Sequence, residues 1–149
     1  MSKYNEVMER LTVTPEMKAK MADFCGGFAT EAEDAAAIRE LYDETGYVID
    51  THTGVASAVY QQYKKNTGDE TKTVIASTAS PYKFSRSVME AISDEKLPED
   101  EFAVIDELCR VSGVEIPKAV EEIRNAQIRH KLECDVQDMK KTVAKILGI

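Results

Sequence analysis

Two short stretches carry the side chains best placed to do chemistry. One is Asp50-Thr51-His52-Thr53-Gly54; the other is Ser77-Thr78-Ala79-Ser80, followed by Pro81-Tyr82-Lys83-Phe84. Each follows a short apolar, β-branched run and opens a helical pattern. In a parallel α/β unit, ligands bind outside the carboxyl ends of the strands. Helix-opening backbone N–H groups at such ends can hold an anion or a polar ring. Asp50 and Ser80 are also ordinary helix N-caps, and the hydroxyls around them could be incidental. The residues alone leave both readings open. His52 fits an acid/base group or a surface residue, whereas His130 fits a hydrogen-bonded core or interface histidine. The chain has no Ser-His-Asp set, Gly-rich phosphate loop or paired carboxylates of recognisable spacing.

The elements that would position these residues can be read from caps and periodicity. Residues 2–10 form a short polar helix candidate. Thr14 and Pro15 open a second helix, with Met17, Met21 and Phe24 on one face and Gly26-Gly27 as its stop. Thr30 and Glu33 form a capping box for a helix whose stripe is Ala37, Ile38, Leu41 and Tyr42, ending at Gly46. "YVID" reads as a strand. The helix after Asp50 is expected to bury Val55, Ala56, Val59, Tyr60 and Tyr63 and to stop at 66–68. "TKTVIAS" is the clearest strand, and Ser80-Pro81 starts a helix through Phe84, Val88, Ala91 and Ile92.

Residues 30–93 therefore alternate helix and strand, the pattern of a parallel sheet covered by helices. Further on, Pro98 opens a helix burying Phe102, Ile105, Leu108 and Cys109, which Gly113 stops. A short helix at Pro117 carries Val120 and Ile123. "IRHKLECD" alternates as a half-buried strand with Ile128, His130, Leu132 and Cys134 on one face. Asp135 caps a last helix with Val136, Met139, Val143 and Ile146. The expected fold is α/β: a partial parallel sheet with flanking helices over 1–95, then a helix-rich appendage carrying one more strand over 96–149.

Composition narrows the function classes. The 149 residues include 19 Lys+Arg against 27 Asp+Glu, for a net charge of −8. No basic cluster supplies a nucleic-acid face, and anionic membranes are disfavoured for the same reason. No apolar run is long enough to span a bilayer. Three widely spaced cysteines, Cys25, Cys109 and Cys134, argue against a disulfide framework and fit a reducing, cytoplasmic setting. They lack metal-ligand spacing with the two histidines, so no metal site is expected.

"DTHTGVASAVYQQY" followed by "TVIASTASPYKF" resembles the C-terminal part of threonine synthases, which carry a D-P-H-T/G-[AG]-V-A helix start and an S-T-A-H-P-x-K-F element. "FATEAEDAAAIRELYDETGYVID" and "RHKLECDVQDMKKTVAKILG" extend the likeness over most of the chain. Thr51 departs from the usual Pro, and Ser80 from the His of many members, which removes an acid/base side chain there. The resemblance implies part of a tryptophan-synthase-β-like fold and a pyridoxal-phosphate enzyme that converts O-phosphohomoserine and water to threonine and phosphate. It implies that Thr78 meets the cofactor's pyridine nitrogen, with His52, Thr53, Ser80 and Lys83 as candidate lining. The family's Schiff-base lysine and S-G-N-F-G type loop belong to motifs this sequence does not contain. An isolated chain is then expected to be inactive, to pair with the remainder of the parent enzyme and to self-associate. Two alternatives are a non-catalytic interaction or regulatory module, and part of another enzyme of the same cofactor fold, such as a dehydratase.

Overall fold

The computed structural model describes residues 13–149. The helix candidate at 2–10 lies outside the described residues. The elements in order are α1 (Pro15–Lys20), α2 (Glu31–Thr45), α3 (Thr51–Thr67), a 3-10 turn (Pro81–Phe84), α4 (Ser85–Ile92), α5 (Glu101–Ser112), α6 (Lys118–Arg124), a second 3-10 turn (Val136–Asp138) and α7 (Met139–Leu147).

The expected α/β sheet is not there: among the described residues the fold is helical, with no strand. A strand exists only through its ladder, and a parallel one needs cover on both faces. Residues 71–78 have α3 against one side only, and Val74 is 91% exposed. No backbone–backbone hydrogen bond joins 47–50 to 71–78. The alternating segment 128–134 fails similarly. Ile128 and Leu132 are 75% and 65% exposed, with no packed layer to receive them.

Local signals serve better. Thr30 and Glu33 do form the capping box of α2, with Thr30 N–H donating to Glu33 Oε2 at 2.7 Å. Asp50 caps α3, Asp100 caps α5, and Gly46, Gly68 and Gly113 end their helices in left-handed conformation. That conformation is the one a Cβ disfavours. α5 begins at Glu101, three residues after the Pro98 expected to open it. Arg86 instead uses Pro98 and Glu99, its Nη2 donating to both carbonyls.

The core joins α2, α4 and α5 through Ile38, Val88, Met89, Ile92, Val104 and Leu108, with Val48, Ile49 and Tyr82 completing it. Burying each such side chain contributes about 1.5–3 kcal/mol. Arg39 crosses from α2 to donate through Nε to the Ala91 carbonyl at 2.6 Å, satisfying an acceptor at the end of α4. α1 stops at Lys20, short of Gly26, and Met17, Met21 and Phe24 are exposed. Met139, Val143 and Ile146 of α7 are exposed as well.

α3 reverses an expectation of the sequence. Its buried face is Thr53, Gly54, Ser57 and Ala58, packed on α2. Small side chains let the two backbones approach. A Cβ at Gly54 would run into Asp34 Oδ1 and come within 2.8 Å of Ile38 Cγ1. Val59, Tyr60 and Tyr63 instead line a groove of about 560 Å³ against residues 73–76.

Candidate functional site

Asp50 is the hub of the site. Its residue is 1% exposed, closing the buried run Val48-Ile49-Asp50. Oδ1 accepts from the backbone N–H of His52 at 2.9 Å and of Thr53 at 3.3 Å, the usual work of an N-cap. Oδ2 accepts from the Thr53 hydroxyl and lies 3.5 Å from Ser77 Oγ. Thr53 Oγ1 and Ser77 Oγ are 2.9 Å apart. The carboxylate thus links the start of α3 to the segment that carries Thr78.

Electrostatics follow from this arrangement. Burial pushes the Asp50 carboxyl up, but the bonds from the Thr53 hydroxyl and the His52 and Thr53 N–H groups outweigh it and hold the group below its ordinary value. Asp34 goes the other way. Burial raises its carboxyl, and the nearby Asp50 charge raises it further. Asp34 Oδ1 is buried against Gly54 and has no hydrogen-bond partner among the described residues.

Beside the hub is a cleft of about 490 Å³ whose lining includes Glu31, Asp34, Thr51, His52, Phe84 and Glu90. The His52 ring stacks on Phe84 at 5.6 Å between centroids, and His52 Nδ1 is 3.5 Å from Asp50 Oδ1. Three carboxylates on its walls make the cleft a poor host for a phosphate. The helix-opening N–H groups suggested as an anion site are also already engaged. Those of His52 and Thr53 donate to Asp50, and that of Tyr82 donates to Ser80 Oγ at 3.3 Å.

The sequence-predicted residues therefore separate. His52 lines the cleft, Thr53 is buried in the Asp50 network, and Ser80 caps the 3-10 turn. Lys83 is exposed on that turn, with Nζ 5.3 Å from the Phe84 ring centroid, a surface cation–π contact. Thr78 is exposed between Ser77 and Ser80, both of which are engaged. Asp34 is the residue sequence reasoning passes over; Ser77 is named with its stretch but given no role, and Phe84 is expected only on a helix's apolar stripe. Gly54 was the available signal for Asp34, since a glycine inside a helix invites a close neighbour. No group of three or more metal-ligating side chains occurs among the described residues.

For pyridoxal phosphate, the donor set fits one edge of the group. A solvent-facing neutral hydroxyl at Thr78 suits a pyridine nitrogen. Lys83, out on the surface over Phe84, does not suit a covalent attachment.

Comparison with known proteins bears on identity. The family described as "Threonine synthase, C-terminal" matches residues 53–143. "Threonine synthase" of Schizosaccharomyces pombe is 35% identical over 85 residues, 56% of this chain and 16% of that protein. "Threonine synthase" of Corynebacterium glutamicum is 30% identical over 92 residues, 60% of this chain and 18% of its own length. Human "Threonine synthase-like 1" is 34% identical over 77 residues, 52% of this chain and 10% of that protein. The chain thus aligns with under a fifth of each of these relatives. No solved structure matches significantly. No helix among the described residues is long and apolar enough to cross a membrane. With Thr53, Ser77, Thr78 and Lys83 all inside a match that covers more than half of its length, the chain belongs to the threonine synthase C-terminal family.

Proposed function

We propose that this chain forms the C-terminal part of a threonine synthase acting on O-phosphohomoserine, with water as co-substrate and threonine and phosphate as products. The supporting observation is the family match over 53–143, which contains the exposed Thr78 and, of the network beside it, Thr53 and Ser77. When bound, pyridoxal phosphate supplies the electron sink that such chemistry requires. This chain's own part is to offer the Thr78 hydroxyl to the ring nitrogen. A neutral hydroxyl holds that nitrogen without forcing its protonation, unlike a carboxylate. Ser80 and Lys83 stand at the rim of this edge, while His52 and Thr53 belong to the wall formed by the start of α3. The cofactor's covalent lysine and phosphate loop come from the remainder of the parent enzyme, in the cytoplasm. We assign residues 1–95 to the cofactor-binding domain and 96–149 to an appendage.

Alone, the chain does not turn over. Incubation with pyridoxal phosphate followed by borohydride should trap no lysine stoichiometrically, and O-phosphohomoserine should release no phosphate. Trapping at one site together with phosphate release overturns this reading. The remainder of the enzyme covers the groove along Val59, Tyr60 and Tyr63; left open, it drives self-association. Light scattering should show mass rising with concentration. A second reading, a non-catalytic interaction module, draws on the self-contained core of α2, α4 and α5. A strictly monomeric chain at high concentration would count against the self-association expected of the open groove.

A further inference from the structure

The cap of α3 uses more of Asp50 than capping needs. One carboxylate oxygen satisfies the His52 and Thr53 N–H groups, which is all an N-cap requires. The other oxygen is turned toward a hydroxyl pair, Thr53 and Ser77, the second of them 27 residues along the chain.

Few hydrogen bonds hold the segment it reaches, although residues 73–76 lie against the apolar side of α3. Residues 70–79 make no backbone–backbone hydrogen bond among the described residues. The side-chain bonds at Thr71 and Thr73 are local, spanning two residues each. Among the described residues, only Ser77 connects 70–79 by hydrogen bonds to a distant part of the chain, through Thr53 and Asp50. Thr78 is the next residue, exposed, between this tie and the Ser80 cap of the following 3-10 turn.

We propose that Ser77 is a positioning residue: tied to Thr53 and the buried Asp50, it fixes where the Thr78 hydroxyl stands. This rests on the reading that Thr78 meets the cofactor's ring nitrogen. Ser77 itself touches no cofactor. Its hydroxyl is directed to the Asp50–Thr53 pair, so its role is transmitted through the backbone to its neighbour. Asp50 accepts from both hydroxyls and cannot donate, which keeps the tie directional: Thr53 and Ser77 orient toward it.

The test uses the whole chain, labelled for NMR, with free pyridoxal phosphate as probe. Ser77 is exposed, so its variants keep the fold, and an unchanged denaturation midpoint checks that. In Ser77→Ala the Thr78 backbone order parameter should fall from a rigid value near ~0.85 toward ~0.6, the flexible range. Ser77→Thr, which keeps the hydroxyl, should restore it. An order parameter unchanged in Ser77→Ala overturns the proposal. Pyridoxal phosphate should perturb the Thr78 amide in the parent chain, less so in Ser77→Ala, and again fully in Ser77→Thr. If Thr78→Ala abolishes the perturbation while Ser77→Ala leaves it intact, positioning by Ser77 is wrong. If pyridoxal phosphate does not perturb Thr78 in this chain, which carries neither the covalent lysine nor the phosphate loop, the order parameter alone judges the tether.

Discussion

Residues 48–50 and 73–78 look alike on paper. Each is a short β-branched run ending in polar groups before a helix, and each reads as a parallel strand. In the fold they part company. Val48, Ile49 and Asp50 are buried in the core cluster or beside it, while Val74 stands 91% exposed and Thr78 faces solvent. The difference is what packs on them. The first run has the α2–α4–α5 core to enter; the second has the apolar side of α3 on one side only. β-Branched sequence favours a pleated, half-buried surface but does not create one.

Side-chain truncation gives the largest contrast. Ile49→Ala should cost about 2–5 kcal/mol in chemical denaturation, as core truncations do. Val74→Ala should stay within about 0.5 kcal/mol, as exposed sites do. Equal costs at the two sites would erase the distinction between the runs. Asp50→Ala comes next, at about 1–2 kcal/mol for the lost cap, and Asp50→Asn should recover much of it, because Asn caps nearly as well.

Acid titration sharpens the contrast within the buried run's own surroundings. Asp50 is held below its ordinary value, so its contribution is complete above the unfolded carboxyl's value and is lost as pH falls through the depressed one. Asp34 is raised, so its ionised form is a penalty at neutral pH that vanishes as pH falls through the raised value. Asp34→Asn should therefore raise stability near neutrality, with the gain shrinking in acid. Asp50→Asn should flatten the acid limb of the same curve. Matching pH profiles for the two variants would show that the carboxyls are not opposed. The smallest global effect belongs to Ser77→Ala, under about 0.5 kcal/mol in stability; a large loss there would make Ser77 part of the core's support.

What was legible in the sequence was whatever a few neighbouring residues decide. Thr30 with Glu33, Asp50 and Gly46 needed only their own backbones to act as caps, and they do. The Thr78–Lys83 element could be matched as a motif, although its cofactor role rests on resemblance. The strands were not legible as absent, because pairing depends on residues far away. The face of α3 was misjudged for a related reason. Apolar Val59, Tyr60 and Tyr63 outweigh Thr53, Gly54 and Ser57 on any hydrophobic count, yet close helix contact selects small side chains over greasy ones. Asp34 escaped notice because its partner across the crossing is a glycine with no side chain to advertise the contact.

That glycine has a consequence for how such a chain can drift. Gly54 lies in the helix that Asp50 caps, four residues past the cap, and presses on Asp34 and Ile38 of the facing helix. A Cβ there would have to displace the Asp34 carboxylate and the Ile38 side chain, and His52, Thr53 and the hydroxyl tie to Ser77 sit on the part of α3 beside that contact. Mutational tolerance at this position is therefore set by two demands at once, packing and the reach to residue 77. A lineage could redecorate the exposed faces of α1 and α7 freely and still be held to a very small residue here.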